Sequence, residues 1–217
     1  ILRSCKYFFA VSALGTAVRR SVMTQTKGKT KRTVGIALLA AMVVVLQLVA
    51  TPLGTLLGIP ISLVLIPIVI GAIMFGAGAG ALLGAVFGAV TLIMGISGAD
   101  RFTATLWNMS PFATAAICFI KGAAAGAAAG AVYKALCGRH DYPAAMCASV
   151  VCPVVNTALF CISFAIFFSD YLKTLAGGTN TLTFMFVSLI GINFIIELTI
   201  NVVFAPAAVR IVKAVSK

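Results

Sequence analysis

The segment Ile66–Val90 reads IPIVIGAIMFGAGAGALLGAVFGAV and contains no charged side chain. Glycine recurs at every fourth position in its second half, and residues four apart lie on one face of a helix. A long apolar run without alternating polar residues is typical of membrane-spanning helices. The segment therefore predicts one span that ends near Phe75, a tight turn at Gly76–Gly78 and a next span that ends near Ile96.

The whole chain shares this apolar character. Of its 217 residues, 62% are hydrophobic and 9% are charged, and the mean hydropathy is +1.16. Soluble domains are roughly half apolar, so the excess apolar surface must face lipid. Lipid admits only helices or closed barrels, and the alternating pattern of barrel strands is missing. The composition predicts an all-α membrane protein, in which the net charge of +12 reports topology rather than nucleic-acid binding.

Six apolar segments are separated by polar or glycine- and proline-containing stretches, and we predict six transmembrane helices. The predicted spans are Thr33–Val49, Ile61–Phe75, the run from the glycine turn to Ile96, Phe112–Leu136, Pro143–Phe168 and Leu182–Val209. The segments Ala50–Pro60, Ser97–Pro111 and Ser169–Thr181 are predicted to be loops on the outer side. Trp107 lies in the second of these loops, as expected of an interfacial aromatic residue.

The distribution of basic residues predicts the orientation. With both termini in the cytoplasm and residues 1–22 left out of the count, nine basic residues lie on the cytoplasmic side and two on the outer side, as the positive-inside rule requires. The cytoplasmic nine are Lys27, Lys29, Lys31, Arg32, Lys134, Arg139, Arg210, Lys213 and Lys217, and the outer two are Arg101 and Lys173. An odd number of spans would move one terminal cluster outside, so six spans with cytoplasmic termini are the consistent arrangement.

The N-terminal segment, residues 1–32, is basic and is expected to precede the six-helix membrane domain, residues 33–217. Its apolar run Tyr7–Val18 is too short to span a bilayer. The run is either a signal peptide without a convincing cleavage site or a translated upstream region, with Met23 as the true start. We favour the second interpretation and leave residues 1–22 out of the fold prediction.

Two ionisable residues lie well inside predicted spans, Lys121 in the fourth and Glu197 in the sixth. A charge at that depth costs at least about 2.5 kcal/mol, so both side chains should face the interior of the bundle. They are expected to act as partners. The sequence leaves open whether they form a structural ion pair or bind a ligand.

Amide and hydroxyl side chains accompany this pair. Asn193, Glu197 and Asn201 follow at intervals of four and therefore share one stripe of the sixth helix. Membrane asparagines usually form hydrogen bonds between helices, but amides that converge with a carboxylate and an ammonium favour an outward-opening pocket for a small polar or anionic molecule. The predicted substrate site consists of Trp107, Asn108, Lys121, Asn156, Thr157, Asn193, Glu197 and Asn201.

Motifs for catalysis or metal binding are missing from the sequence. Gly28-Lys29-Thr30 resembles the end of a phosphate loop, but Met23 replaces the first glycine and no strand precedes it. The patterns HExxH, GxSxG and CxxC do not occur, His140 is expected in a cytoplasmic turn, and the six cysteines lack metal-ligand spacing. We predict no enzymatic activity, no cofactor and no metal.

Small residues at four-residue spacing mark three of the predicted spans. The third carries Gly80 and Gly84 within its glycine row, the fourth carries a similar row, and the first has Ala37 and Ala41. Such faces allow a second backbone to approach closely. The second backbone can belong to this chain or to a partner.

These motifs resemble the substrate-binding S components of energy-coupling factor (ECF) vitamin transporters. Ile66–Val90, preceded by Ile59-Pro60-Ile61, is similar to that family's apolar span, FGP-type turn and glycine-striped helix, with Ala77 where proline is common. The tail Gly191–Ala214 and the segment PVVNT, Pro153–Thr157, resemble pantothenate-type members. The resemblance extends from Thr33 to the end of the chain.

The resemblance implies a subunit of the bacterial plasma membrane that captures a vitamin outside and delivers it with a T component and a pair of cytoplasmic ATPases. It implies that Ala37 and Ala41, which match the family's AxxxA feature, face the T component together with Gly80 and Gly84. Pantothenate, a carboxylate-bearing vitamin, would give Lys121 a counter-ion. Riboflavin would require more aromatic stacking than Trp107 and a few loop aromatics supply.

Two other functions remain open from the sequence. A free-standing secondary transporter of a small polar metabolite would use Lys121 and Glu197 as a proton relay. A non-transport scaffold subunit would use the polar residues only to hold helices together.

Overall fold

The computed structural model describes residues 30–52, 63–137, 141–177, 180–184 and 191–215. Within these ranges the chain forms nine helices and no strand. In chain order they are α1 Thr30–Pro52, α2 Leu65–Phe75, α3 Ala77–Ile96, α4 Arg101–Met109, α5 Pro111–Leu136, α6 Asp141–Phe167, α7 Ser169–Ala176, α8 Thr181–Phe184 and α9 Gly191–Val215.

The chain divides into two compact units, residues 1–38 and residues 39–217. The described part of the first unit is the beginning of α1. The second unit contains the rest of α1 and the other described helices. In the part of the chain that the structure describes, four helices are long and apolar enough to cross a membrane, namely Thr30–Pro52, Ala77–Ile96, Pro111–Leu136 and Tyr142–Phe167. Two shorter apolar helices are Leu65–Phe75 and Phe194–Ala207.

These helices confirm an all-helical membrane fold, and four of the predicted spans match long helices. The sixth predicted span, Leu182–Val209, corresponds to α8 and α9, with residues 185–190 between them outside the described ranges. The count of six spans and the orientation of the termini stay predictions.

The short helix α2 lies at the centre of the second unit. It contacts α3, α5, α6 and α9, and eight of its eleven residues are buried. Gly76 alone separates it from α3, with a φ of 88° that a residue with a side chain rarely adopts. The predicted turn at Gly76–Gly78 is therefore shorter than expected, since Ala77 already begins α3.

Two predicted loops contain helices. Ser97–Pro111 includes α4, and Ser169–Thr181 includes α7. Asp100 caps α4: its Oδ1 accepts hydrogen bonds from the backbone N–H groups of Phe102, at 3.1 Å, and Thr103, at 3.4 Å. Both helices are held by burial of one apolar side, through Leu106 in α4 and Leu172 in α7. Both segments are polar overall, so their composition does not predict the buried apolar face of either helix.

Helices α3 and α5 pack with their backbones in direct contact. They run antiparallel, with Gly80 against Gly126, Gly84 against Gly122 and Gly88 against Cys118. A Cβ at Gly84 would overlap the carbonyl of Gly122. Gly80 and Gly84 are therefore buried between two helices of this chain. They do not face the T component as expected, and the alternative of packing within the chain is the one observed.

Candidate functional site

Lys121 lies in the middle of α5, about 15 Å along the helix from Pro111. Its Nζ sits 5.1 Å from the ring centroid of Phe160 on α6 and 5.9 Å from that of Phe87 on α3. An ammonium within about 6 Å of a ring face is attracted by the π-electrons. Among the described residues no ion pair joins Lys121 to Glu197, so the expected pairing of these two side chains is not formed. Helix α6 packs against both α5 and α9, which carry them.

A cluster of aromatic rings continues from Phe160 toward the end of α6. Phe160 stacks on Phe164 at 5.5 Å between centroids, and Phe164 contacts Phe168 at 5.8 Å and Tyr171 at 6.4 Å. Phe102 of α4 completes the cluster, 5.8 Å from Phe164. Leu106 and Leu172 belong to the same apolar core. The sequence prediction missed this cluster, although phenylalanine at positions 160, 164 and 168 was a signal for one aromatic stripe.

Asn156 lies on the same stripe of α6, one turn before Phe160. The residue is 8% exposed, and its Oδ1 is fully buried without a hydrogen-bond partner. The large majority of buried side-chain polar atoms in proteins have a hydrogen-bond partner, so an unpaired one requires an explanation. Thr157 follows on the helix and is half-buried.

Glu197 and Asn201 are buried on α9, with 9% and 2% of their surface exposed. The Asn201 Nδ2 donates a hydrogen bond of 2.8 Å to the backbone carbonyl of Glu197. Cys152 lies on α6, one turn before Asn156, and α6 packs against α9. The backbone of Asn193 belongs to α9, and its side chain lies outside the described set.

The other predicted site residues lie near the start of α5. Trp107 is half-buried and Asn108 is exposed, both on α4, which packs against α3 and α5. The structure thus brings Lys121 together with Phe160. It places Asn156 one helical turn from Phe160 and Glu197 on α9, which packs against α6. Trp107 and Asn108 lie on α4, before the start of α5. In the described ranges, no group of three or more His, Cys, Asp or Glu side chains could hold a metal ion.

Comparison with protein families identifies the chain. The model of the family "ECF transporter, substrate-specific component" matches residues 31–209. No match is found among curated proteins or solved structures. Because the matched segment covers most of the 217 residues, the chain belongs to the family of ECF transporter substrate-specific components, the membrane subunits that bind the substrate of these importers.

Proposed function

We propose that this chain captures a carboxylate-bearing B vitamin, with pantothenate as the preferred candidate, for an ATP-driven ECF importer. The observation that supports an anionic substrate is the position of Lys121. Its ammonium lies inside a span, against two phenylalanine rings. The described residues show no carboxylate ion-paired with it.

The energies of these contacts favour an additional partner for Lys121. Burying the charge within a span costs at least about 2.5 kcal/mol. Each of its two cation–π contacts returns about 0.5–2 kcal/mol, depending on how far it is desolvated. The anionic group of a ligand would offset any cost that these contacts leave, and it would add a charge-assisted interaction at this point.

The aromatic cluster bears on the choice of vitamin. Six rings lie close to Lys121 or to one another beyond it. Phe164 and Phe168 are buried in the core, so only the other rings of this set bear on the objection that riboflavin would find too few stacking partners. The carboxylate argument still places pantothenate first. A binding assay must include riboflavin for this reason.

Membership of the family supports a proposal for the assembly. We propose six spans with cytoplasmic termini in a bacterial plasma membrane, association with a T component and two cytoplasmic ATPases, and contact with the T component through α1. Ala37 and Ala41 are both exposed on that helix. The proposed substrate site comprises Lys121, Asn156, Thr157, Asn193, Glu197 and Asn201, with Trp107 and Asn108 at its outer end.

Isothermal calorimetry of the detergent-purified chain with each B vitamin tests this proposal. We expect one carboxylate-bearing vitamin to bind and its amide or alcohol analogue to bind at least tenfold more weakly, a loss of about 1.4 kcal/mol. If no vitamin produced a heat of binding, the result would contradict a capture function and favour a scaffold subunit. Uptake that follows a proton gradient in cells lacking the ATPases would favour a secondary transporter.

A further inference from the structure

Asn156 is a buried polar residue whose side-chain oxygen has no hydrogen-bond donor in the packing of the described helices. Only 8% of its surface is exposed, so the residue is more than nine-tenths buried. Its Oδ1 accepts no hydrogen bond from the described residues. A buried acceptor without a donor lowers the stability of the folded chain. An asparagine that merely joined two helices would have that oxygen paired.

Other buried polar residues of the bundle are satisfied locally. The hydroxyl of Thr91 donates to the backbone carbonyl of Phe87 at 2.9 Å, and that of Thr114 donates to the carbonyl of Ser110 at 2.9 Å. The amide of Asn201 donates to the carbonyl of Glu197. Asn156 differs from all three, because its acceptor is both enclosed and unused.

The position of Asn156 relates it to Lys121. Asn156 and Phe160 are four residues apart on α6 and so lie on one face, separated by about 6 Å along the axis. The ammonium of Lys121 sits over the Phe160 ring. A cation and an unpaired acceptor therefore flank one aromatic side chain.

We propose that the Oδ1 of Asn156 accepts a hydrogen bond from an N–H or O–H group of the ligand whose anionic group is bound by Lys121. This inference rests on the proposed capture function and narrows its substrate class. The ligand carries an anionic group and, about one helical turn further along α6, a hydrogen-bond donor. Simple carboxylates such as short fatty acids satisfy only the first requirement and are rejected, because they leave Oδ1 unpaired.

The first test compares Asn156→Leu with Thr91→Val, two replacements of a buried polar side chain by an apolar one of similar size. Pantothenate is the probe, and any other vitamin that the panel identifies takes its place. We expect Asn156→Leu to raise the melting temperature of the ligand-free chain and to weaken binding at least tenfold. Thr91→Val should leave the dissociation constant within about twofold, since Thr91 is bonded within its own helix.

The second test uses the unchanged protein and altered ligands, so it does not depend on how a variant folds. Analogues of the bound vitamin methylated singly at each N–H or O–H are titrated against the wild-type chain and against Asn156→Leu. One analogue should lose at least tenfold in affinity for the wild type and lose no further affinity for the variant. The affinity losses caused by that methylation and by Asn156→Leu would then be non-additive, which identifies the ligand group that donates its hydrogen bond to Asn156.

Three results would overturn the inference. Equal affinity of the wild type and Asn156→Leu, with an unchanged or higher melting temperature of the variant, would mean that Oδ1 receives no hydrogen bond from the ligand. A lower melting temperature with unchanged affinity would show a purely structural amide. Independent, additive losses from the variant and from every analogue would exclude a direct hydrogen bond. In each case the vitamin still binds the wild type, whereas binding of no vitamin would overturn the capture function itself and this inference with it.

Discussion

Lys121 shows how a charge can be held by aromatic rings within a helix that is apolar enough to span a membrane. The ring of Phe160 lies 5.1 Å from its Nζ and stacks on Phe164 at an interplanar angle of 17°. The stacked rings restrict where Phe160 can move, so they also restrict the ammonium. Because a cation–π contact does not neutralise the charge, the ammonium remains able to attract an anion.

Replacing Lys121 with methionine should therefore weaken vitamin binding more than about tenfold, or over about 1.4 kcal/mol. Methionine keeps the volume of the side chain and removes its charge. Lys134→Met is the matched control, because Lys134 lies in the last turn of the same helix and is exposed. Calorimetry on both variants measures the effect. An unchanged dissociation constant for Lys121→Met would assign the lysine a structural role.

At the scale of elements, the contact between α3 and α5 leaves no space for a side chain at the glycines of α3 that form it. Gly80, Gly84 and Gly88 each place their backbone against a carbonyl of α5. Without side chains between them, neither helix can accommodate an added methyl group through a rotamer change. The contact is therefore more sensitive to volume than an ordinary leucine-lined interface.

Gly84→Ala should destabilise the chain by about 1–3 kcal/mol, since the new Cβ would overlap the Gly122 carbonyl. Gly78→Ala is the control on the same helix, because a Cβ there has no atom within 4 Å. Alanine is the better helix former, so this control should be neutral or stabilising by up to about 1 kcal/mol. Thermal unfolding in detergent checks both. Equal melting temperatures for the two variants would show that α3 and α5 separate readily.

The long spans could be predicted from sequence because the membrane imposes length and apolarity on every one of them. The helices α4 and α7 could not, because each depends on a cap or on two buried residues more than on composition. Asp100 followed by Thr103 was a usable signal for the start of α4. The glycine rows predicted close packing, but a face on one helix does not specify its partner. For the same reason the sequence predicts Glu197 as a partner of Lys121 and does not predict the contact with the Phe160 ring.

At the scale of the whole molecule, the exposed side of α1 is the surface for which we propose a protein partner. Ala41→Trp, or Ala37→Trp, should abolish vitamin uptake by cells that also produce the T component and ATPases, and should leave binding to the purified chain unchanged. Met42→Trp is the control, exposed on the same helix about 100° away from Ala41. Uptake and calorimetry are measured together. Loss of both, or of neither, would contradict the assigned interface.

The predicted topology is testable with single-cysteine variants. In a chain that keeps only Cys137, which is exposed at the end of α5, a membrane-impermeant maleimide should react only after the cells are permeabilised. With Thr105→Cys on α4 as the single cysteine, labelling should occur in intact cells, because Thr105 is exposed and lies before the opposite end of α5. Labelling of both from the same side would exclude the proposed orientation of α5.

The unequal lengths of the helices have a consequence for the bilayer. Helices α5 and α6 have 26 and 27 residues and extend about 40 Å, whereas the hydrocarbon core is about 30 Å thick. Both must incline from the membrane normal or project into the headgroup layer. The eleven-residue α2, enclosed by its neighbours, experiences no such mismatch. Membrane thickness therefore acts on the two helices that carry Lys121 and Asn156, and lipid chain length becomes a physical variable for the proposed substrate site.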